Sequence, residues 1–118
     1  MPHGSSSAEM QRCIDECKNC HDVCLETASH CLEMGGEHAE PAHIRLLMDC
    51  AEMCQTSANF MIRGSDVHGF TCAACAAVCE QSARECDRFD DDFMKRCAEA
   101  CRRCAESCRQ MAQMAKAA

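Results

Sequence analysis

Residues 13–24 read CIDECKNCHDVC and residues 97–108 read CAEACRRCAESC, and each places cysteines at steps of four, three and four. Those steps return once per helical turn, so each ladder is one stripe along an α-helix. The same reading extends to the rest of the chain. A first helix is expected over residues 7–34, capped by Ser6 or Ser7 and ended by Gly35 and Gly36. Its inward face carries Met10, Cys13, Cys17, Cys20, Cys24, Thr27 or Ala28, Cys31 and Met34. Pro41 suits the first turn of a second helix running to residue 62, with His43, Leu46 or Leu47, Cys50, Cys54, Ser57 and Met61 on its stripe. A third helix over residues 69–88 carries His68 or Gly69 at its start, then Cys72, Cys75, Cys79, Ser82 and Cys86. After DRFDDD, whose aspartates can cap a helix, a fourth carries Met94, Cys97, Cys101, Cys104, Cys108 and Met111.

The chain has 118 residues, which makes residues 7–118 one domain behind a disordered tail at residues 1–6. Fifteen cysteines are a density usual in small secreted disulfide scaffolds. Here the count is odd, the chain is long for such a scaffold, and MPHGSSSAEM holds no apolar run of signal-peptide length. A reduced, cytoplasmic protein is therefore expected, in which clustered cysteines serve as metal ligands or catalysts. The net charge of −7 argues against nucleic acid or an anionic membrane as partner.

Leu, Ile, Val and Phe together number only 14 residues. The chain is nevertheless rich in helix formers. If it folds, cysteine and methionine must occupy the positions leucine usually takes, which a free thiol can do as a small hydrophobe. Short connections between four long helices predict an all-α, up-down-up-down antiparallel bundle. Stacked in that order, the stripes give layers of Cys13, Met61, His68 and Met111; Cys17, Ser57, Cys72 and Cys108; Cys20, Cys54, Cys75 and Cys104; and Cys24, Cys50, Cys79 and Cys101. Thr27, Leu46, Ser82 and Cys97 follow, and Cys31, His43, Cys86 and Met94 close the far end. Every cysteine falls inside the core.

Neighbouring thiols on such a stripe have Cβ atoms about 5–6 Å apart, close enough to share a soft ion but poorly directed for a disulfide along one helix. Thiolates and thioethers select Cu(I), zinc or iron–sulfur clusters. Zinc favours discrete tetrahedral sites, and iron–sulfur proteins place ligands on loops around a compact cluster. A continuous column tipped by Met and His suits many Cu(I) ions better, while a zinc or iron–sulfur protein with a regulatory or structural role stays open, as does a helical module whose thiols only pack. No cysteine has the partner base and exposed, electropositive setting of a catalytic thiol, so no enzymatic activity is expected.

The ladders CIDECKNCHDVC, CAEMC, CAACAAVC and CAEACRRCAESC, spread over four helices, resemble those of the bacterial cytosolic copper storage proteins across residues 9–115. The resemblance implies storage of many Cu(I) ions in a preformed bundle, metal admitted from one end, and assembly into a homo-oligomer, often a tetramer. Copper would then come from a copper chaperone or a small thiol. The chain departs from a full ladder at Thr27, Ser57 and Ser82.

The expected ligands are the fifteen cysteines, with His43, His68, Met61 and Met111 at the column ends. Met48, Met53 and Met114 are assigned to packing or surface, His21, His30 and His38 to the surface, and Asp90, Asp91 and Asp92 to a solvated turn. Phe60 and Phe70 at one end, and Phe89 and Phe93 at the other, are expected to plug the bundle.

Overall fold

The computed structural model describes residues 4–117. Helix α1 spans Gly4–Met34, a 3₁₀ turn Gly36–Ala39, α2 Pro41–Ile62, α3 His68–Cys86 and α4 Asp92–Ala117. Among the described residues there is no strand, and no helix is long and apolar enough to cross a membrane. Helix α1 packs on α2 and α4, and α3 packs on the same two, giving a four-cornered bundle with extents of 51 × 20 × 18 Å. This is the up-down-up-down architecture expected of four amphipathic helices joined by short turns.

The helix boundaries follow local chemistry. Gly35 and Gly36 take φ of 71° and 58°, in the left-handed region that favours glycine, and the Gly35 N–H returns to the Cys31 carbonyl at 3.2 Å. Pro41 starts α2 with no N–H to leave unpaired, behind a Glu40 at ψ 134°. The start of α1 differs from expectation. It lies at Gly4, so Ser6 and Ser7 sit within the helix instead of capping it. No proline interrupts residues 4–10, and serine is tolerated in a helix. Residues 1–3 of the expected tail lie outside the described residues.

The interior is filled as the stripes predict. All fifteen cysteines have 0% exposure. Between them lie small residues, Ala28, Ala51, Ala58, Ala76, Ala83, Ala98, Ala100 and Ala105, which let the backbones approach. Helices α3 and α4 approach closely at Gly69, where an added Cβ would stand 2.8 Å from that of Ala115. Leu47 is the buried residue of the Leu46–Leu47 pair, and both Thr27 and Ala28 are buried.

Three residues expected in the interior or as plugs are not interior, the first being Phe93, which is 39% exposed and lies stacked on His30 at the bundle end. Met34 is 55% exposed, because α1 ends there, beyond the last layer of the column. Phe70 is 78% exposed and plugs nothing, standing on the outer side of the first turn of α3. Phe60 is half-buried under the Arg63 guanidinium, 4.8 Å from the ring centre.

Candidate metal centre

The cysteines form one connected column, staggered where flat layers were expected. Four four-thiol groups have all their sulfurs within 4.8 Å of one another: Cys17, Cys75, Cys104 and Cys108; Cys54, Cys75, Cys79 and Cys104; Cys20, Cys50, Cys54 and Cys79; and Cys20, Cys24, Cys50 and Cys101. Each shares two cysteines with the next, so the groups run edge to edge along the bundle. Cys13, Cys72 and Cys108 continue the series at one end. The stagger follows from the alternating steps of three and four, which set the knobs of one helix against the gaps of its neighbour. Contacts across helices are short: Cys17 to Cys108 is 3.5 Å, and Cys50 to Cys79 and Cys54 to Cys79 are both 3.6 Å. All fifteen thiols are free.

Burial and mutual hydrogen bonding govern their protonation. Cys31 is pushed up to about 11, by burial first and then by the charges of Asp91 and Cys97. Cys17 accepts the Cys104 thiol at 3.6 Å, and this bond leads the effects that lower it to about 6. Cys86 is raised by its neighbour Cys97 and by burial. The polar residues in the column are used differently. The Ser57 hydroxyl donates to Cys72 at 3.5 Å, and the Cys101 thiol donates to Ser82 at 3.5 Å. Among the described residues, Thr27 Oγ1 is the buried side-chain oxygen without a hydrogen-bond partner.

The two ends place the expected accessory ligands unequally. His43 is 2% exposed, with Nε2 3.3 Å from Cys31 Sγ and Nδ1 3.1 Å from Glu85 Oε2. Since a carboxylate accepts, Nδ1–H donates to Glu85, and Nε2 presents its lone pair to the thiol column. A carboxylate behind a ligating imidazole fixes its tautomer and raises its basicity. Met94 Sδ accepts the Cys31 thiol at 3.5 Å. At the other end Met61 and Met111 are buried. His68 is half-buried and donates Nδ1–H to the Ser65 carbonyl at 2.9 Å, closing the α2–α3 turn.

The His43 end also holds groups assigned from the sequence to the surface. His30 and His38 are half-buried, and their Nε2 atoms lie 2.9 Å from the two oxygens of Asp91. His30 stacks on Phe93 with centroids 4.2 Å apart, while Phe89 packs against both His38 and His43 at 4.3 and 4.9 Å. Burial acts to raise Asp91, but the bonds from His38, His30 and its own backbone hold it below the usual carboxylate value. Glu85, His30, His38 and Asp91 lie off the cysteine stripes, so periodicity does not find them. The available signal was positional: His30, His38 and His43 bracket one turn of the chain.

Comparison with known proteins agrees with this geometry. The copper storage protein family matches residues 6–113. A Nitrosospira multiformis protein of known crystal structure is 47% identical, covers 92% of this chain and 98% of its own, and superposes with a TM-score of 0.87. The Cu(I)-bound copper storage protein BsCsp3 from Bacillus subtilis is 36% identical over 88% of this chain and 98% of its own, with a TM-score of 0.84. A cytosolic copper storage protein from Streptomyces lividans, solved with five coppers, is 33% identical over 90% of this chain and 93% of its own, with a TM-score of 0.78.

Proposed function

Because this chain belongs to the copper storage protein family, we propose that it is a cytoplasmic store whose fifteen thiolates hold many Cu(I) ions inside the bundle, buffering copper or supplying it. The observation that carries the reading is the edge-sharing of the buried thiol groups, which offers a soft ion an unbroken series of sites. The chain holds its cargo without transforming it.

Charge neutrality favours Cu(I) over the zinc alternative. Burying an uncompensated charge is costly. Fifteen thiolates and a similar number of Cu(I) ions make a neutral interior, since each ion replaces one thiol proton. A divalent ion on four thiolates leaves two negative charges in a core that, among the described residues, buries no lysine or arginine to offset them. Cu(I) also accepts two or three bridging sulfurs, which suits groups that share members.

The ligands in this reading are Cys13, Cys17, Cys20, Cys24, Cys31, Cys50, Cys54, Cys72, Cys75, Cys79, Cys86, Cys97, Cys101, Cys104 and Cys108. His43, backed by Glu85, and Met94 serve one end. Met61 and Met111 serve the other, where His68 reaches metal only if its free Nε2 turns inward. Copper arrives from a chaperone or a small thiol, with neither nucleic acid nor membrane involved. Exposed Ile62, Val67 and Phe70 around the α2–α3 turn support assembly of copies into a homo-oligomer, a tetramer in this reading.

The test is a titration of reduced apo-protein with Cu(I) against a competing chelator. The expected uptake is on the order of one ion per cysteine. Saturation at about one ion, or at any number below about four, would overturn the storage reading, and a brown protein as isolated would favour iron–sulfur. The apo-protein should be strongly helical, because the thiols pack the core without metal.

A further inference from the structure

We propose that His30, His38 and Asp91 form a second metal site, separate from the thiol column, that takes one borderline divalent cation of the zinc or cobalt class. The three side chains come from three segments: α1, the 3₁₀ turn and the turn before α4. Each imidazole puts Nε2 2.9 Å from a different oxygen of Asp91. Donors about 2.1 Å from a shared ion lie about 3 Å apart in octahedral and about 3.4 Å apart in tetrahedral coordination, so a small outward shift of the two rings brings these three donors to ligand-to-ligand spacing. A bound ion would occupy the place of the two Nε2 protons. In neutral rings those protons move to Nδ1, so the exchange needs no net loss of charge from the histidines.

The rings are held in place and reachable. His30 lies nearly parallel to Phe93, at 10°, and His38 packs on Phe89. The His and Asp side chains keep 19%, 18% and 31% exposure respectively. Two guanidinium groups lie nearby, Arg88 over Phe89 and Arg96 over Phe93. Both are paired with carboxylates, Arg88 with Glu85 and Glu37 and Arg96 with Glu26, so neither leaves an uncompensated positive charge beside the site.

Donor chemistry separates this site from the column below it. Imidazole and carboxylate suit borderline divalent ions, whereas thiolate and thioether retain Cu(I). His30 precedes Cys31 in sequence, yet its Nε2 is directed at Asp91 and away from the sulfurs.

Cobalt tests the site without changing the column. Full-length protein is first loaded with Cu(I) under anaerobic conditions and its copper content measured, so a failure of storage registers separately. Co²⁺ is then added to this loaded protein. The expected result is about one Co²⁺ per chain, with visible ligand-field bands and no sulfur-to-cobalt charge transfer. His38→Ala and the isosteric Asp91→Asn, at matched copper load and helicity, should each weaken cobalt binding at least about tenfold. His21→Ala, nine residues before His30 on α1 and bonded to Asp22, should leave it unchanged. Cobalt that is not retained, cobalt bound equally by His38→Ala and Asp91→Asn, or a sulfur-to-cobalt band would each overturn the proposal and leave the cluster as a hydrogen-bonded tie between helix ends.

Discussion

The two ends of the bundle close the same thiol column with different chemistry. At one end the column finishes in Cys13, Cys72 and Cys108, Met61 and Met111 are buried, and His68 is spent on the α2–α3 turn. At the other, Cys31 meets both His43 and Met94, Glu85 orients the imidazole, Phe89 packs on it, and Phe93 stacks on His30 beside His38 and Asp91. The first end is an apolar stopper. The second sets a nitrogen donor and a thioether beside the last thiol, under polar side chains. The proposed store therefore has a direction, with exchange at the His43 end.

The largest test asks whether the ends communicate through the column. Replacing Cys54, Cys75, Cys79 and Cys104 with serine removes the middle group, and Cu(I) capacity measured by chelator competition should fall by roughly four ions. An unchanged capacity would mean that the central thiols are only filler. Alkaline titration is the next probe. Cys31 holds its proton up to about 11 in the fold against an ordinary 9.0, owing to burial and the charges of Asp91 and Cys97. Folding thus stabilises the protonated thiol, a contribution complete below the lower value and lost as pH rises through the upper one. Urea unfolding of the apo-protein should weaken across that window, with Cys31 contributing on the order of 2 kcal/mol. Cys31→Ala should flatten the dependence, and an unaltered slope would remove Cys31 from the account.

Direction is tested more finely by paired histidine variants. His43→Ala should weaken the first Cu(I) bound about tenfold, or roughly 1.4 kcal/mol, while His68→Ala should leave it unchanged. Equal effects would abolish the distinction between the ends. The smallest effect concerns the buried hydroxyls. Ser57 has a partner in Cys72, whereas Thr27 Oγ1 has none. Thr27→Val keeps the shape, removes the unpaired group, and should raise apo stability by about 1 kcal/mol in thermal or urea melts. A loss of stability would show that the hydroxyl is bonded after all.

The contrast between the ends also marks how far the sequence could be read. The column was legible because cysteine at steps of three and four makes a stripe that no other residue type in this chain supplies. Helix order and the Gly35 and Pro41 boundaries followed from the same local rules. The stagger was not legible, since antiparallel stripes can slide by part of a turn without moving any cysteine off its inward face. Leu46 and Leu47 fall on either side of the stripe, and packing against α1 and the neighbouring helices decides for Leu47. Met34 and Phe70 look apolar and well placed, yet one lies past the end of the column and the other on the outside of a helix start. His30 and His38 become neighbours of Asp91 only through contacts 61 and 53 residues apart. Such pairs follow from tertiary register, which a stripe does not encode.

The edge-sharing of the thiol groups also implies a scaling law. Seven residues of helix rise about 10.5 Å and carry two rungs of the stripe. A heptad added to each of four helices therefore supplies about 28 residues and up to about eight more thiols. Capacity grows in proportion to length, while exchange stays confined to one end. In a store built this way, longer bundles hold more metal but take longer to fill and drain, so inventory and turnover can be tuned by the same insertion in opposite directions.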